Sequence, residues 1–91
     1  MIVSFRCAET QKIFREEPSR KFGNIQRVAF RRLVTLNAIK SLADLAGNGM
    51  SLEALRDDRK GQYSIPINDQ YRICFVWTAG DCSDVEIVDY H

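Results

Sequence analysis

Three side chains capable of proton transfer or hydrogen bonding, Asp89, Tyr90 and His91, stand next to one another in the sequence. His91 is the only histidine, and Arg72 is the only basic residue other than His91 after position 60. RNA cleavage by its own 2′-hydroxyl needs a base, an acid for the leaving 5′ oxygen and a cation at the phosphorane. Histidine, tyrosine and aspartate can share the proton transfers, and the planar, permanently charged arginine fork suits the phosphate. These residue types therefore permit phosphodiester chemistry.

Each of these residues also has a purely structural interpretation. A histidine in this position is commonly part of a frayed chain end, and Tyr90 could be a half-buried strand residue. Asp89 could pair with a nearby arginine. Arg72 could form an ion pair with Glu86 or Asp89 on the sheet, which the charge pattern favours as much as phosphate binding. Spacing alone leaves both interpretations open.

The charge is unevenly distributed along the chain. Residues 1–60 contain twelve Lys or Arg and seven Asp or Glu, a balance of +5, whereas residues 61–91 contain one Arg and five Asp or Glu, a balance of −4. This asymmetry is compatible with a polyanionic partner on the first part of the chain. The competing interpretation is a solvated surface, in which the basic residues near position 58 are balanced by neighbouring aspartates.

Length and composition narrow the class of protein. We expect 91 residues to form one domain, residues 1–91. No apolar run approaches the ~20 residues that cross a bilayer, and the N-terminus lacks a signal-peptide core, so we expect a cytoplasmic protein without membrane contact. With a single histidine and no C-x-x-C pair, no metal or cofactor is expected. Cys74 should be packed in a strand, and Cys82 should be a surface thiol in a turn.

Apolar spacing predicts a short strand over residues 1–6 and then two helices. The first helix is predicted over residues 9–17, before Pro18. The second should begin at an Asn24 cap and run to residue 46, before the Gly47-Asn48-Gly49 breaker. Its apolar stripe comprises Ile25, Val28, Ala29, Leu33, Leu36, Ile39 and Ala43. Residues 50–60 are predicted to be a loop.

The remaining residues predict a three-stranded antiparallel meander, which gives an α+β fold. Strict alternation in the middle strand places Tyr71, Ile73, Phe75 and Trp77 on one face and Arg72, Cys74 and Val76 on the other. Pro66 favours an edge or a bulge for the preceding strand. Alternation in the last strand sends Tyr90 away from Asp89 and His91, so a shared cleft requires the strand to end, bulge or twist near Val88.

Two segments, GNGMSLEALRDDRKGQYSIPINDQYRICFVW and the final VEIVDYH, resemble the HigB family within the RelE superfamily of toxins from toxin–antitoxin systems. The order of strand, two helices and three strands is similar to the fold of that family. The resemblance implies a metal-independent, ribosome-dependent endoribonuclease that cuts mRNA in the ribosomal A site and inhibits translation. The resemblance implies that the partners are the ribosome, mRNA and a HigA-like helix-turn-helix antitoxin. The toxin–antitoxin complex would contact operator DNA only through the antitoxin.

The resemblance also implies roles for individual residues. The terminal Asp-Tyr-His of the family falls on Asp89, Tyr90 and His91, and its strand arginine falls on Arg72, so these four are the candidate catalytic residues. Its basic loop residue falls on Arg56. The residues expected to bind RNA phosphates without reading bases are Arg56, Arg59, Lys60, Arg27 and Arg31.

Two departures from the family pattern leave alternatives open. Some members have a histidine where this chain has Glu53, and many have a basic residue where this chain has Pro66. Both changes could weaken RNA contact or catalysis. One alternative is therefore a weakly active or inactive ribosome-binding relative. The other is a non-enzymatic, ParE-like toxin that inhibits DNA gyrase, although that interpretation leaves His91 without a role.

Overall fold

The computed structural model describes residues 1–59 and 61–89. Helices occupy the first half of the chain and strands the second, which confirms an α+β fold. The helices are α1 (Ala8–Phe14), α2 (Gln26–Ala38) and α3 (Ala43–Gly47), with 3-10 turns at Gly23–Ile25 and Asp57–Arg59. The strands are β1 (Glu53–Ala54), β2 (Gln62–Pro66), β3 (Tyr71–Thr78) and β4 (Asp81–Asp89). Within these described residues, no helix is long and apolar enough to cross a membrane.

The four strands form one antiparallel sheet in the order β1-β2-β3-β4. The predicted meander is therefore present, and the first strand of the sheet is β1, which lies in the segment predicted to be a loop. That prediction was wrong, because a strand of two residues is too short to show an alternating pattern in the sequence. Pro66 pairs with Arg72 on one side and lies beyond the end of β1 on the other, so β2 tolerates its missing N–H.

The first six residues are extended along the outer edge of β4, but they do not form a continuous ladder. Parallel bridges join Ile2 to Cys82 and Phe5 to Val85. The backbone N–H of Arg6 donates to the Val85 carbonyl at 3.0 Å. The predicted N-terminal strand is thus an edge segment held by isolated bridges, and it fixes Arg6 beside β4.

The predicted long helix is divided into α2 and α3, so that prediction was wrong. Ile39 is extended (φ −69°, ψ 150°), and the backbone N–H groups of Lys40 and Ser41 donate to Asp44 Oδ2 at 3.0 and 3.1 Å. These two hydrogen bonds hold the pKa of the Asp44 carboxyl below its ordinary value. An internal carboxylate cap of this kind competes with helix continuation, and Ile39 remains buried although it is no longer helical.

Two helix ends also differ from the prediction. Asn24 lies inside the 3-10 turn, and α2 begins without a side-chain cap. The first helix, α1, ends at Phe14 and not at residue 17. The apolar stripe of α2 nevertheless faces the sheet as predicted, since Ala29 and Leu33 are fully buried. Side-chain periodicity was therefore a better guide to the buried face than to the helix ends.

The core lies between the helices and one face of the sheet. Alternation in β3 predicted that face correctly: Ile73 and Phe75 are fully buried, and Tyr71 and Trp77 pack against the same cluster. The other buried members are Ile13, Phe22, Ile25, Ala29, Leu33, Leu36, Ile39, Leu45, Met50, Ile65, Ile67, Cys82, Val85 and Ile87. The helices cover only this face, so side chains on the other face of the sheet are free to form a separate polar surface.

A β-bulge interrupts the pairing of β3 with β4. Cys74 pairs with Glu86 but Val76 pairs with Ser83, so two residues of β4 stand opposite the single residue Phe75. The bulge changes the phase of the alternation along β4. Glu86 consequently shares the face of Cys74, away from the helices.

The bulge also explains why Cys82 is buried. Asp84 has a φ of +51°, and across it Cys82 and Val85 both face the core although they are three residues apart. The prediction that Cys82 is a surface thiol in a turn was therefore wrong. A regular strand with period two would have placed these residues on opposite faces.

The three thiols should differ in reactivity. Burial raises the pKa of Cys82 to about 11 and also raises the pKa of Cys74, whereas Cys7 is half-exposed. Because the thiolate is the reactive form, iodoacetamide at mildly alkaline pH should label Cys7 in the folded protein and leave Cys74 and Cys82 unlabelled. Peptide mass spectrometry measures this, with the urea-unfolded protein, in which all three react, as the control.

The same burial predicts a loss of stability in alkali. Unfolded Cys82 ionises near the ordinary value of 9.0, while the folded thiol stays protonated to about 11. Between these values the unfolded state binds fewer protons, so the free energy of unfolding should decrease as pH rises through this window. A Cys82→Ala variant, which lacks the titrating group, should show a smaller decrease. Equal pH dependence of the two proteins would contradict the assignment.

Candidate functional site

The face of the sheet that the helices leave uncovered carries a cluster of charged side chains. We call it the arginine face, and it comprises Arg6, Arg59, Arg72, Glu53 and Glu86. Its members come from the N-terminal segment, β1, the turn before β2, β3 and β4. The fold therefore brings three cations and two anions together from distant parts of the chain.

Arg72 is held in place by the neighbouring strand. Its Nε–H donates to Ser64 Oγ at 2.8 Å, and its Nη2 lies 3.5 Å from the Ser64 carbonyl oxygen. Ser64 is fully buried, so its hydroxyl is a fixed acceptor. Glu53 Oε2 lies 3.9 Å from Arg72 Nη2. The Arg72 side chain is only 17% exposed while that of Glu53 is 55% exposed, so the carboxylate lies on the solvent side of a largely immobilised guanidinium.

Glu86 connects the other two arginines. Its Oε1 accepts a hydrogen bond from Arg59 Nη2 at 3.1 Å, and its Oε2 lies 3.5 Å from Arg6 Nε. The Glu86 side chain is 14% exposed, whereas those of Arg6 and Arg59 are 57% and 42% exposed. The acid thus lies beneath the two guanidinium groups, which remain accessible to a ligand.

Arg59 is directed over the sheet by a closed loop. The Leu55 N–H donates to the Gln62 carbonyl at 2.9 Å across the loop, and the Arg59 N–H donates to the Arg56 carbonyl at 3.1 Å. Gly61 has a φ of +92°, which a residue with a side chain rarely adopts. This geometry separates the predicted basic residues: Arg59 joins the arginine face and Arg56 is exposed, while Lys60 lies outside the described residues.

Cys74 forms the floor of this face. It stands between Ser64 and Glu86 in neighbouring strands and is fully buried although it points away from the helices. Burial raises the pKa of its thiol, against an opposing effect of the Arg59 charge. The thiol is therefore protonated at neutral pH, and a role as a nucleophile is not favoured. The prediction that Cys74 is a packed strand residue is confirmed.

Asp89 lies on the other side of the sheet from Arg72. It pairs with Tyr71, whose ring packs edge-on against Phe22 on the helix side. Its Oδ2 accepts a hydrogen bond from Gln70 Nε2 at 3.1 Å, and its side chain is exposed. The pairing of β3 and β4 stays regular from Glu86 to Asp89, so the described part of β4 shows no bulge near Val88.

The predicted roles of Tyr90 and His91 fall outside the described residues. The structure therefore places one predicted catalytic residue, Arg72, in the charged cluster, and it places Asp89 at the same end of the sheet on the opposite face. Whether the four residues form one site stays a prediction. The ion pair described for Arg72 is with Glu53, whereas Glu86, one of the two partners considered for it from the sequence, pairs with Arg6 and Arg59.

Sequence reasoning missed two residues of this site, Ser64 and Arg6, whereas it named Glu86 as a possible partner of Arg72 and Glu53 as a departure from the family pattern. Ser64 could have been found, because the turn at Asn68 fixes the register of β2 on β3: its Oδ1 accepts hydrogen bonds from the backbone N–H groups of Gln70 and Tyr71. That register pairs residue 64 with residue 74, so residue 64 lies diagonally across from residue 72 on the same face. Arg6 carries no such local signal, since its partner is far along the chain.

A rigid arginine on an open sheet face, with further arginines beside it, can bind the phosphates of an extended polyanion. Together with helices on one side of an antiparallel sheet, this arrangement is consistent with the RelE-like class of toxins. A family model described as the RelE-like toxin HigB of type II toxin–antitoxin systems matches residues 4–91. The chain therefore belongs to the HigB-like toxin family, which implies an antitoxin as partner.

One curated relative supports this assignment. The chain is 29% identical over 83 residues to Toxin HigB-1 of Vibrio cholerae serotype O1, and the alignment covers 88% of this chain and 87% of that protein. The relative is thus similar in length as well as in sequence. RelE-like toxins of this family are generally endoribonucleases.

Proposed function

We propose that this protein is a ribosome-dependent endoribonuclease that cleaves mRNA in the ribosomal A site and so inhibits translation. The single observation that carries the proposal is the fixation of Arg72 by Ser64 on the uncovered face of the sheet. An arginine held before substrate arrives stabilises developing charge without reorganisation in the transition state.

In the proposed reaction, the 2′-oxygen of the RNA attacks the adjacent phosphorus as its proton passes to a base. The bond to the 5′ oxygen then breaks, and that oxygen takes a proton from an acid. The products are a 2′,3′-cyclic phosphate and a 5′-hydroxyl, so no metal or other cofactor is required. Arg72 stabilises the charge on the phosphorane, and His91, Tyr90 and Asp89 are proposed to share the proton transfers.

RNA binding is proposed to be mainly electrostatic. Arg59 lies on the arginine face, and Arg56 and Lys60 are close to it in the sequence, so the three are proposed to bind backbone phosphates of mRNA or rRNA without reading bases. Affinity should then fall with increasing salt. As a HigB-type toxin, the protein is proposed to act in the cytoplasm and to be held inactive by a HigA-like helix-turn-helix antitoxin, through which the complex would contact operator DNA.

Incubation of the purified protein with ribosomes programmed with a defined mRNA tests this function. We expect cleavage within the A-site codon, a 5′-hydroxyl on the downstream fragment and no cleavage of the same mRNA without ribosomes. Cleavage of free RNA would indicate a different type of nuclease. Ribosome binding without cleavage would indicate an inactive relative, and inhibition of DNA gyrase in a supercoiling assay would indicate a ParE-like activity; either result would overturn the proposal.

A further inference from the structure

We propose that Arg6 and Arg59, held together by Glu86, form a second phosphate-binding site beside Arg72. Its ligand is a neighbouring phosphate of the RNA strand whose scissile phosphate lies at Arg72. The inference rests on the proposed endoribonuclease function and assigns residues to it that sequence reasoning did not connect. Arg6 and Glu86 acquire a role only through the folded structure.

The contacts of Glu86 define the site. Its two carboxylate oxygens each face a different arginine, Oε1 at 3.1 Å from Arg59 and Oε2 at 3.5 Å from Arg6. One carboxylate is thereby shared by two guanidinium groups that are far apart in sequence. Because long exposed side chains lose much entropy when they are fixed, this shared acid orders two cations that would otherwise sample many conformers.

The charge of the cluster favours an anion. Two guanidinium groups on one carboxylate leave a net charge of about +1, and that charge is on the exposed side because Glu86 lies beneath them. A guanidinium has five N–H donors in a planar fork, and the contact with Glu86 uses one nitrogen of each. A phosphate can therefore bind both arginines while Glu86 stays in place.

The spacing to Arg72 suits a continuous RNA strand. Ser64, which holds the Arg72 guanidinium, and Glu86, which holds Arg6 and Arg59, both pair with Cys74, one from each side. The two anchoring residues are therefore two interstrand spacings apart, roughly 10 Å. Nearby phosphates of one extended RNA chain can span this distance. The RNA chain is therefore inferred to run across the strands of the arginine face, with one phosphate at Arg72 and another at Arg6 and Arg59.

The backbone fixes the position of Arg6 independently of its side chain. The Arg6 N–H donates to the carbonyl of Val85, the residue before Glu86, so the side chain emerges next to the carboxylate. An Arg6→Ala substitution should leave this backbone hydrogen bond intact. The exposed Arg20 is a matched control, because it lies away from the arginine face. It is two residues before Phe22, whose ring contacts Tyr71 on the helix side of the sheet.

The test compares mRNA cleavage on programmed ribosomes by the parent protein, Arg6→Ala and Arg20→Ala. Loss of a charged contact to phosphate should raise the toxin concentration needed for half-maximal rate about tenfold in Arg6→Ala. It should also reduce the slope of log affinity against log salt by roughly 0.7. Arg20→Ala should match the parent, and thermal unfolding should show that all three proteins are folded.

Glu86→Gln tests the positioning role. The amide removes the negative charge, so RNA affinity should stay the same or increase, whereas the rate at saturation should decrease because the arginines are no longer ordered. Replacement of a residue with only a structural role would not lower the rate at saturation while leaving the RNA affinity unchanged or increased. Parental kinetics for Glu86→Gln would overturn its positioning role.

Failure of this inference can be told apart from failure of the proposed function. If the parent does not cleave mRNA on ribosomes, the endoribonuclease proposal is wrong. If the parent cleaves and Arg6→Ala has the same concentration and salt dependence as the parent, only the second phosphate site is wrong. The same conclusion holds if Arg20→Ala loses as much as Arg6→Ala, since the effect would then be one of net charge.

Discussion

Replacement of Arg72 by alanine is expected to reduce mRNA cleavage on ribosomes by about 10²- to 10³-fold, the usual effect of removing a preorganised donor from a transition state. The reason is structural as well as electrostatic. Ser64 holds the Arg72 guanidinium in one position on the arginine face, so the charge is available to a phosphorane without rearrangement. Single-turnover cleavage rates of the parent and the variant measure the effect directly.

Arg72→Lys provides a sharper comparison. Lysine retains the positive charge but has neither the Nε–H that donates to Ser64 nor the planar fork that matches two phosphate oxygens. We expect its activity to lie between those of the parent and Arg72→Ala. If Arg72→Ala cleaves mRNA at the parental rate, Arg72 has only a structural role, which the sequence left open with Glu86 or Asp89 as partner and which the structure shows with Ser64 and Glu53.

Replacement of His91 by glutamine should reduce cleavage by about 10²-fold or more, within the range for loss of a general acid or base. Glutamine retains a hydrogen-bonding side chain of similar size but cannot carry a proton between oxygens. RNA binding on the ribosome should therefore be preserved while the rate falls. Growth arrest on expression and the rate of mRNA cleavage in vitro are the two measurements.

Asn68→Ala is not suitable as the control for this experiment, since Asn68 shapes the turn between β2 and β3. Arg20→Ala is suitable, because it changes an exposed charge on the helix side. Should His91→Gln and Arg72→Ala both arrest growth as strongly as the parent, the active-site assignment would be refuted. If Arg72→Ala loses activity and His91→Gln does not, the cleavage chemistry depends on the arginine face and not on His91.

The structure gives Glu53 a specific contact that the sequence did not indicate. Glu53 replaces a histidine found in some relatives, and from the sequence this change suggested only a weaker toxin. In the fold its carboxylate lies 3.9 Å from Arg72, where a phosphate would also have to bind. Under the proposed function, Glu53 and an RNA phosphate compete for one guanidinium, which is a physical reason to expect weaker RNA binding than in a relative with a neutral residue at this position.

The buried half of the fold could be predicted from the sequence because its apolar side chains recur at regular spacing. Four alternating side chains in β3, from Tyr71 to Trp77, identified the face that meets the helices. A repeated pattern survives local irregularities such as the break at Ile39, which keeps its side chain in the core after the helix ends. Burial is thus encoded redundantly along each element.

The charged half could be predicted only in part, because single long-range contacts form it. The phase change at Asp84 places Glu86 on the arginine face, and nothing in the local sequence announces a bulge there. The pairing of Glu86 with Arg6 joins the two ends of the chain. One-to-one contacts of this kind leave no periodic trace. Arg72, Arg59 and Glu86 were therefore found by their residue types, whereas Ser64 and Arg6 were not found.

The assembly of the arginine face from five separate chain segments has a consequence for when the protein can be toxic. Contacts between distant residues carry an entropic cost, because the loop between the residues must be closed before the contact can form. A partly folded or clipped chain would carry the same arginines without their arrangement. Toxicity should therefore begin only when β4 has docked between β3 and the N-terminal segment, so that a newly made chain stays harmless to the cell until its folding is complete.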